Sequence, residues 1–140
     1  MTLLWTGNMC VGIKQFDDDH RRLVKYANEL WGAIREGEAQ GKVSPIEIEI
    51  MLHRLMNYAR GHCSHEEQLM EKTSFPGLEE HRAEHHRLLA KAEEMAQLYA
   101  GSSDLHHAKE IAEFVYNWIT QHIHTMDREY SDHLHKHGIF

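Results

Sequence analysis

The stretch SPIEIEIMLHRLMNYARGHCSHEEQLMEKTSFPG, Ser44 to Gly77, carries the start signal, the body and the stop signal of one long helix. Ser44 and Glu47 have the spacing of a capping box, and Pro45 takes the first helical position, where its missing N–H costs nothing. Ile48, Leu52, Leu55, Ala59, His62, Glu66 and Leu69 recur at three- and four-residue steps and share one face. The break Thr73-Ser74-Phe75-Pro76-Gly77 ends the helix. The face is apolar at first and then carries a histidine and a glutamate.

Three further segments have the same period. The first runs from about Asp17 to Arg35, with Leu23, Ala27, Leu30 and Ile34 on its stripe and Gly37 and Gly41 at its end. The third stripe is Leu78, His81, His85, Leu88, Ala92, Met95 and Tyr99, ended by Gly101 and the serines. Asp104 can cap the fourth helix. Its stripe is Ile111, Val115, Trp118, His122 and Met126, with Ile119 and Ile123 beside it. No segment alternates in twos as a strand would. Short loops between long helices make antiparallel neighbours, so the expected fold is all-α. It is an up-down-up-down antiparallel four-helix bundle over residues 17–131. Residues 1–16 form an N-terminal arm, with Trp5, Val11, Ile13 and Phe16 packed on the bundle, and residues 132–140 form a short C-terminal tail.

The 140 residues suit a single domain. Fifteen basic and 22 acidic side chains give a net charge of −7. With no basic run, this argues against nucleic acid and anionic membranes as partners. No apolar run approaches the roughly 18 residues of a membrane span, so no membrane insertion is expected. Met1 to Trp5 lacks the pattern of a signal peptide. Cys10 and Cys63 lack zinc-type spacing and cannot build a disulfide framework, so they are expected as free thiols in a reducing, cytoplasmic setting.

Fourteen residues are histidine, and several sit on the core stripes. His20 lies one step before Leu23, His62 and Glu66 lie on the second stripe, His81 and His85 on the third and His122 on the fourth. Every helix thus turns at least one imidazole inward, and in a bundle these faces converge. A buried polar group without a partner costs about 1–3 kcal/mol. Six of them together would consume the roughly 5–15 kcal/mol margin of a typical domain. A metal centre satisfies them jointly. His81 and His85 are one turn apart, as are His62 and Glu66, so each pair can reach one ion. Imidazoles suit iron, copper, zinc and nickel, and a carboxylate can bridge two ions. Five imidazoles exceed the needs of one tetrahedral zinc, so a two-metal site is expected. His65, three residues after His62, also comes near that face. In the last helix Glu129 is better phased with His122 than Asp127 is, and periodicity alone prefers it as a second bridge. Histidines 133, 135 and 137 are expected in a solvated terminus.

The order of these motifs resembles the hemerythrin-like family, and within it the stand-alone bacterial hemerythrins. The resemblance rests on Trp5, Val11-Gly12-Ile13, Asp17 and His20, then on His62-Cys63-Ser64-His65-Glu66-Glu67 and Leu69-Met70. It continues through Phe75-Pro76-Gly77, Glu80-His81, Glu84-His85, Trp118-Ile119, His122-Ile123, Asp127 and Tyr130. A histidine followed by H-x-x-x-E, H-x-x-x-H and H-x-x-x-x-D, in that order, is a specific signal.

The resemblance implies two non-haem iron ions that bind dioxygen reversibly. His81, His85 and His122 would hold one iron, and His20 and His62 the other. Glu66 and Asp127 would bridge them, together with an oxo or hydroxo group, so family grounds favour Asp127 over Glu129. Dioxygen would bind at the open position of the two-histidine iron. Trp118, Ile119 and Ile123 are expected to line that oxygen pocket, along with Cys63, which stands where the family usually has phenylalanine. The implied role is oxygen carrier or store rather than enzyme, with oxygen passing to an oxygen-consuming enzyme or a membrane oxidase. A monomer is expected. Competing roles are an oxygen or redox sensor, or a di-iron protein that detoxifies peroxide, nitric oxide or iron. Oxygen-activating di-iron sites are typically carboxylate-rich, which counts against the enzymatic alternatives.

Overall fold

The computed structural model of the chain describes residues 4–102, 104–122 and 128–140. A 3-10 turn at Gly7–Met9 precedes helices α1 (Lys14–Gln40), α2 (Pro45–Lys72), α3 (Leu78–Ser102), α4 (Leu105–His122) and α5 (Arg128–Lys136). Among the described residues there is no strand. Contacts run from α1 to α2, α2 to α3, α3 to α4 and α4 back to α1, which closes a four-helix bundle. No described helix is long and apolar enough to cross a membrane.

The helix ends follow the expected signals. The Ser44 hydroxyl accepts the Glu47 N–H at 3.3 Å with Pro45 just inside the helix. At the other end of α1, Gly41 N–H bonds Glu38 O and Lys42 N–H bonds Gly37 O. This Schellman geometry needs a left-handed residue, and Gly41 adopts φ 66° without a Cβ penalty. Ser74 holds the same role after α2 at φ 55°, with Ser74 N–H on Glu71 O and Phe75 N–H on Met70 O. The stripes read from the sequence supply the core: Leu23, Leu30 and Ile34 from α1, Ile48, Leu52 and Leu55 from α2, Leu88, Ala92 and Tyr99 from α3, and Ile111 and Val115 from α4 are all buried.

Two boundaries differ from the sequence reading. Helix α1 begins at Lys14, so Phe16 belongs to the helix and not to the arm. The Asp17 carboxylate turns back to accept the Val11 N–H at 2.7 Å, which fastens the arm and lets the helix start earlier. The second difference is the expected tail. Residues 128–136 form α5, and its Leu134 and Tyr130 are fully buried. A further Schellman closure, Gly138 N–H to His135 O and Ile139 N–H to Leu134 O, ends it at Gly138 with φ 76°.

His133 and His135 of this segment are structural rather than simply solvated, and His137 is exposed as expected. His133 Nε2 bonds Thr73 O at 2.9 Å, and His135 Nε2 bonds Gly12 O at 2.8 Å. The Ser131 hydroxyl donates to Val11 O. Helix α5 thus joins the N-terminal arm to the α2–α3 turn. Gly12 sits against it so closely that an added Cβ would lie 3.1 Å from the His135 ring.

Because Leu134 is fully buried, Leu134→Ala should lower unfolding free energy by about 2–5 kcal/mol. Asp132→Ala, on the exposed side of α5, should stay within about 0.5 kcal/mol of the parent. Chemical denaturation of the two variants measures the contrast, and equal stabilities would mean that α5 is not docked as described.

Candidate metal centre

Helix α2 places His62 and Glu66 one turn apart on its buried face, and α3 does the same with His81 and His85. His20 enters from α1 and His122 from the last turn of α4. All six side chains are buried, none more than 6 % exposed. Their ligand atoms form two overlapping groups, one of His20, His62 and Glu66 and one of Glu66, His81, His85 and His122. Within each group the atoms lie within 4.8 Å of one another.

Glu66 is common to both groups and divides its oxygens between them. Oε1 meets His62 Nε2 and lies 3.5 Å from His20 Nε2. Oε2 lies 3.3 Å from His81 Nε2 and 3.5 Å from His85 Nε2. His85 Nε2 is also 3.2 Å from His122 Nε2. The rings pack edge to face, His20 on His62 at 4.6 Å between centroids and His81 on His85 at 4.7 Å. Phe16 and Tyr130 close over them, Phe16 at 5.8 Å from His62 and Tyr130 at 5.3 Å from His81.

Two imidazoles are backed from outside. His62 Nδ1 is 2.9 Å from Asp19 Oδ2, and His85 Nδ1 is 3.3 Å from Glu67 Oε2. A carboxylate only accepts, so in both rings Nδ1 carries a proton, and in the neutral ring Nε2 presents its lone pair inward. Burial pushes the Asp19 carboxyl up, but hydrogen bonds from His62 and Tyr58 outweigh it and hold the group below its usual range. Burial would likewise raise Glu66. Where the rings are protonated, the charge of His62 and the hydrogen bonds of His20, His62 and His81 prevail, and the carboxyl is held well below the usual range.

These residues fit a pair of divalent ions. Nε2 lone pairs aimed at an ionised carboxylate repel it unless a cation lies between them. A carboxylate with one oxygen before each imidazole group is the donor set of a bridged two-metal site. Protonating every ring instead would bury several positive charges around one negative one, at several kcal/mol per ion.

The structure brings His20, His62, Glu66, His81, His85 and His122 together. Asp127 and Ile123 lie outside the described residues. Glu129, which periodicity alone prefers, is exposed in the first turn of α5, and His65 is exposed on α2. Cys63, Trp118 and Ile119 are all buried, with the Trp118 ring 6.0 Å from that of His122. Asp19, Tyr58 and Arg82 are neighbours that stripe analysis does not single out. They flank the core faces, and their partners lie 15–43 residues away in sequence.

Comparison with known proteins follows this geometry. Residues 11–134 match the family described as Hemerythrin, the Hemerythrin HHE cation binding domain. A bacteriohemerythrin of Clostridium acetobutylicum is 29% identical over 129 residues, which is 92% of this chain and 98% of that protein. One from Stenotrophomonas maltophilia is 24% identical over 135 residues, covering 96% and 83% respectively. One from Methylococcus capsulatus is 26% identical over 115 residues, covering 81% and 82%.

Glu66→Gln keeps the shape of the side chain and removes its charge. It should weaken divalent-metal binding by roughly 100-fold or more, beyond the 10–100-fold typical of outer-layer partners. Competition with a chromophoric chelator reads the affinity, and an unchanged value would mean that this cluster does not hold the metal.

Proposed function

The chain belongs to the hemerythrin family, and from that premise we propose that it binds dioxygen reversibly at a non-haem di-iron centre, as an oxygen carrier or local store. The observation that carries this reading is Glu66, whose two oxygens face two separate imidazole groups in a buried site. His20 and His62 would hold one iron and His81, His85 and His122 the other, with Glu66, Asp127 and an oxo or hydroxo group as bridges. Ferrous ions bound there would supply the electrons that dioxygen takes up on binding and returns on release.

The side chains of this protein have three tasks in that scheme. The histidines offer neutral Nε2 donors, and Asp19 and Glu67 hold two of these rings in the required tautomer. Two histidines on one position against three on the other leave the first with more room for an exogenous ligand. Buried Cys63, Trp118 and Ile119 would keep water from the pocket, the Trp118 ring lying 6.0 Å from that of His122. An imidazole-rich site of this kind favours binding over oxygen activation, so we propose no substrate turnover. The recipient of oxygen would be an oxygen-consuming enzyme or a membrane oxidase.

The test is an optical titration of anaerobically reduced, iron-loaded protein. Charge-transfer bands should appear when oxygen is admitted and vanish when it is withdrawn, over repeated cycles. Bands that persist after withdrawal would move the reading to a sensor or a peroxide-handling protein, and no bands at all would end the oxygen-binding reading. Cys63 makes a second prediction. A thiol is smaller than a phenyl ring, so the pocket is wider or wetter than with the larger side chain. Cys63→Phe should oxidise in air more slowly than the parent, and equal rates in the two proteins would reject that role.

A further inference from the structure

His62 and His85 face the centre from its two halves, and each has a backing built in the same three steps. On one half the Tyr58 hydroxyl donates to Asp19 Oδ1 at 2.7 Å, and Asp19 Oδ2 accepts from His62 Nδ1 at 2.9 Å. On the other half Arg82 Nε donates to Glu67 Oε1 at 3.2 Å, and Glu67 Oε2 accepts from His85 Nδ1 at 3.3 Å. In both, one carboxylate oxygen serves the inward-facing ring and the other serves a side chain nearer the solvent. Exposure rises outward, from 2 % at the His62 side chain to 15 % at Asp19, and from 1 % at His85 through 18 % at Glu67 to 36 % at Arg82.

We propose that Tyr58 and Arg82 are positioning residues, each acting through its carboxylate on one half of the metal centre and not on the other. The proposal rests on the reading of the two imidazole groups as two metal positions. The terminal torsion of a carboxylate is broad and turns at little cost. With both oxygens engaged, the group is held in one orientation. So held, it fixes the plane of the imidazole and keeps the proton on Nδ1, which directs the Nε2 lone pair at the metal position. Released at its outer oxygen, the carboxylate turns toward water and the ring loses that constraint.

The two outer donors are chemically unlike. Tyr58 is a neutral phenol. Burial and then the Asp19 hydrogen bond raise its pKa above the ordinary value, so it stays protonated and donates throughout the physiological range. The Arg22 guanidinium sits over the Tyr58 ring at 5.9 Å and steadies it from the solvent side. Arg82 is a permanent cation shared among three carboxylates, since it also donates to Glu79 at 2.8 Å and reaches Glu71 at 3.9 Å. The half backed by Tyr58 is held by a single neutral bond that one oxygen atom supplies. The half backed by Arg82 is held by a charged network. Each half can therefore be loosened by a substitution outside the metal cluster.

The full chain loaded with cobalt(II) tests this, because the exchangeable imidazole N–H protons of metal-bound rings give resolved, paramagnetically shifted proton resonances. In Tyr58→Phe the His62 N–H signal should move and exchange with deuterium about tenfold faster or more, while the His85 signal keeps its position and rate. Arg82→Gln should do the reverse, and Arg82→Lys should restore part of the effect. Chelator competition should show one of the two cobalt ions bound 10–100-fold more weakly in each variant, the magnitude typical of outer-layer partners. Both variants moving both signals alike would indicate general loosening and overturn the proposal, as would two variants that move neither. A parent chain that fails to take up two cobalt ions overturns it together with the two-position reading.

Discussion

A single buried carboxylate ties the bundle together where it matters most. Glu66 is fully enclosed and meets imidazoles from α1, from its own helix and from α3, while His85 links it onward to His122 of α4. Taking an ionised carboxylate out of water costs several kcal/mol, and only partners of good geometry repay it. Those partners come from separate helices, so the charge is satisfied in one register only. Sliding α1 or α4 by one turn, about 5.4 Å, would remove its imidazole from reach. A nonspecific apolar seam tolerates such slips far better. Here the polar centre selects the register and the apolar stripes supply the bulk of the adhesion.

The helix ends serve that same register. Two Schellman closures, at Gly41 and Ser74, fix where α1 and α2 stop, and the Ser44 cap fixes where α2 starts. The α2–α3 turn is doubly held. His81 N–H bonds Gly77 O within it, and His133 of α5 bonds Thr73 O from outside. The arm is held from both sides too, by the Asp17 carboxylate and by Ser131 and His135. The contacts of the arm and of the α2–α3 turn gather at the end of the bundle that carries the centre, and Gly41 and Ser44 lie at the other end. Phe16, in the first turn of α1, and Tyr130 of α5 lie with their ring centroids 5.6 Å apart above the imidazoles.

Much of this was legible in the sequence, for a specific reason. Helical periodicity reports which face a residue occupies, so His20, His62, Glu66, His81, His85 and His122 were visible as polar interruptions of apolar stripes. The bundle followed from the same stripes and the short breaks between them. What periodicity does not report is the distance between flanks of neighbouring helices. Asp19 and Tyr58 meet across α1 and α2, and Arg82 and Glu67 across α2 and α3, and none of them lies on a stripe centre. Helix α5 was missed for a different reason. Its side chains His133, His135 and Lys136, with His137 just beyond it, read as solvated, and they outweigh the two buried apolar residues Tyr130 and Leu134 that anchor it. The four-residue step between those two, with Gly138 at the closure, was the available signal.

The charge of the donor set bears on what such a centre is suited to do. Five imidazoles bring no charge to bound ions, and Glu66 brings one negative charge, to which the family pattern adds Asp127. Two divalent ions in that set keep a net positive charge, which favours the lower oxidation state and the return of electrons. A carboxylate-rich set would neutralise the ions and favour the oxidised state, as oxygen activation requires. The further negative charge of Asp19 and Glu67 lies one layer out, where Tyr58 and Arg82 bond it. Its influence on bound ions would pass through the imidazole N–H bonds, and these can strengthen a ring as a donor without adding a ligand. The outer carboxylates thus allow donor strength to be adjusted while the inner set stays imidazole-rich, and a reversible binder needs both.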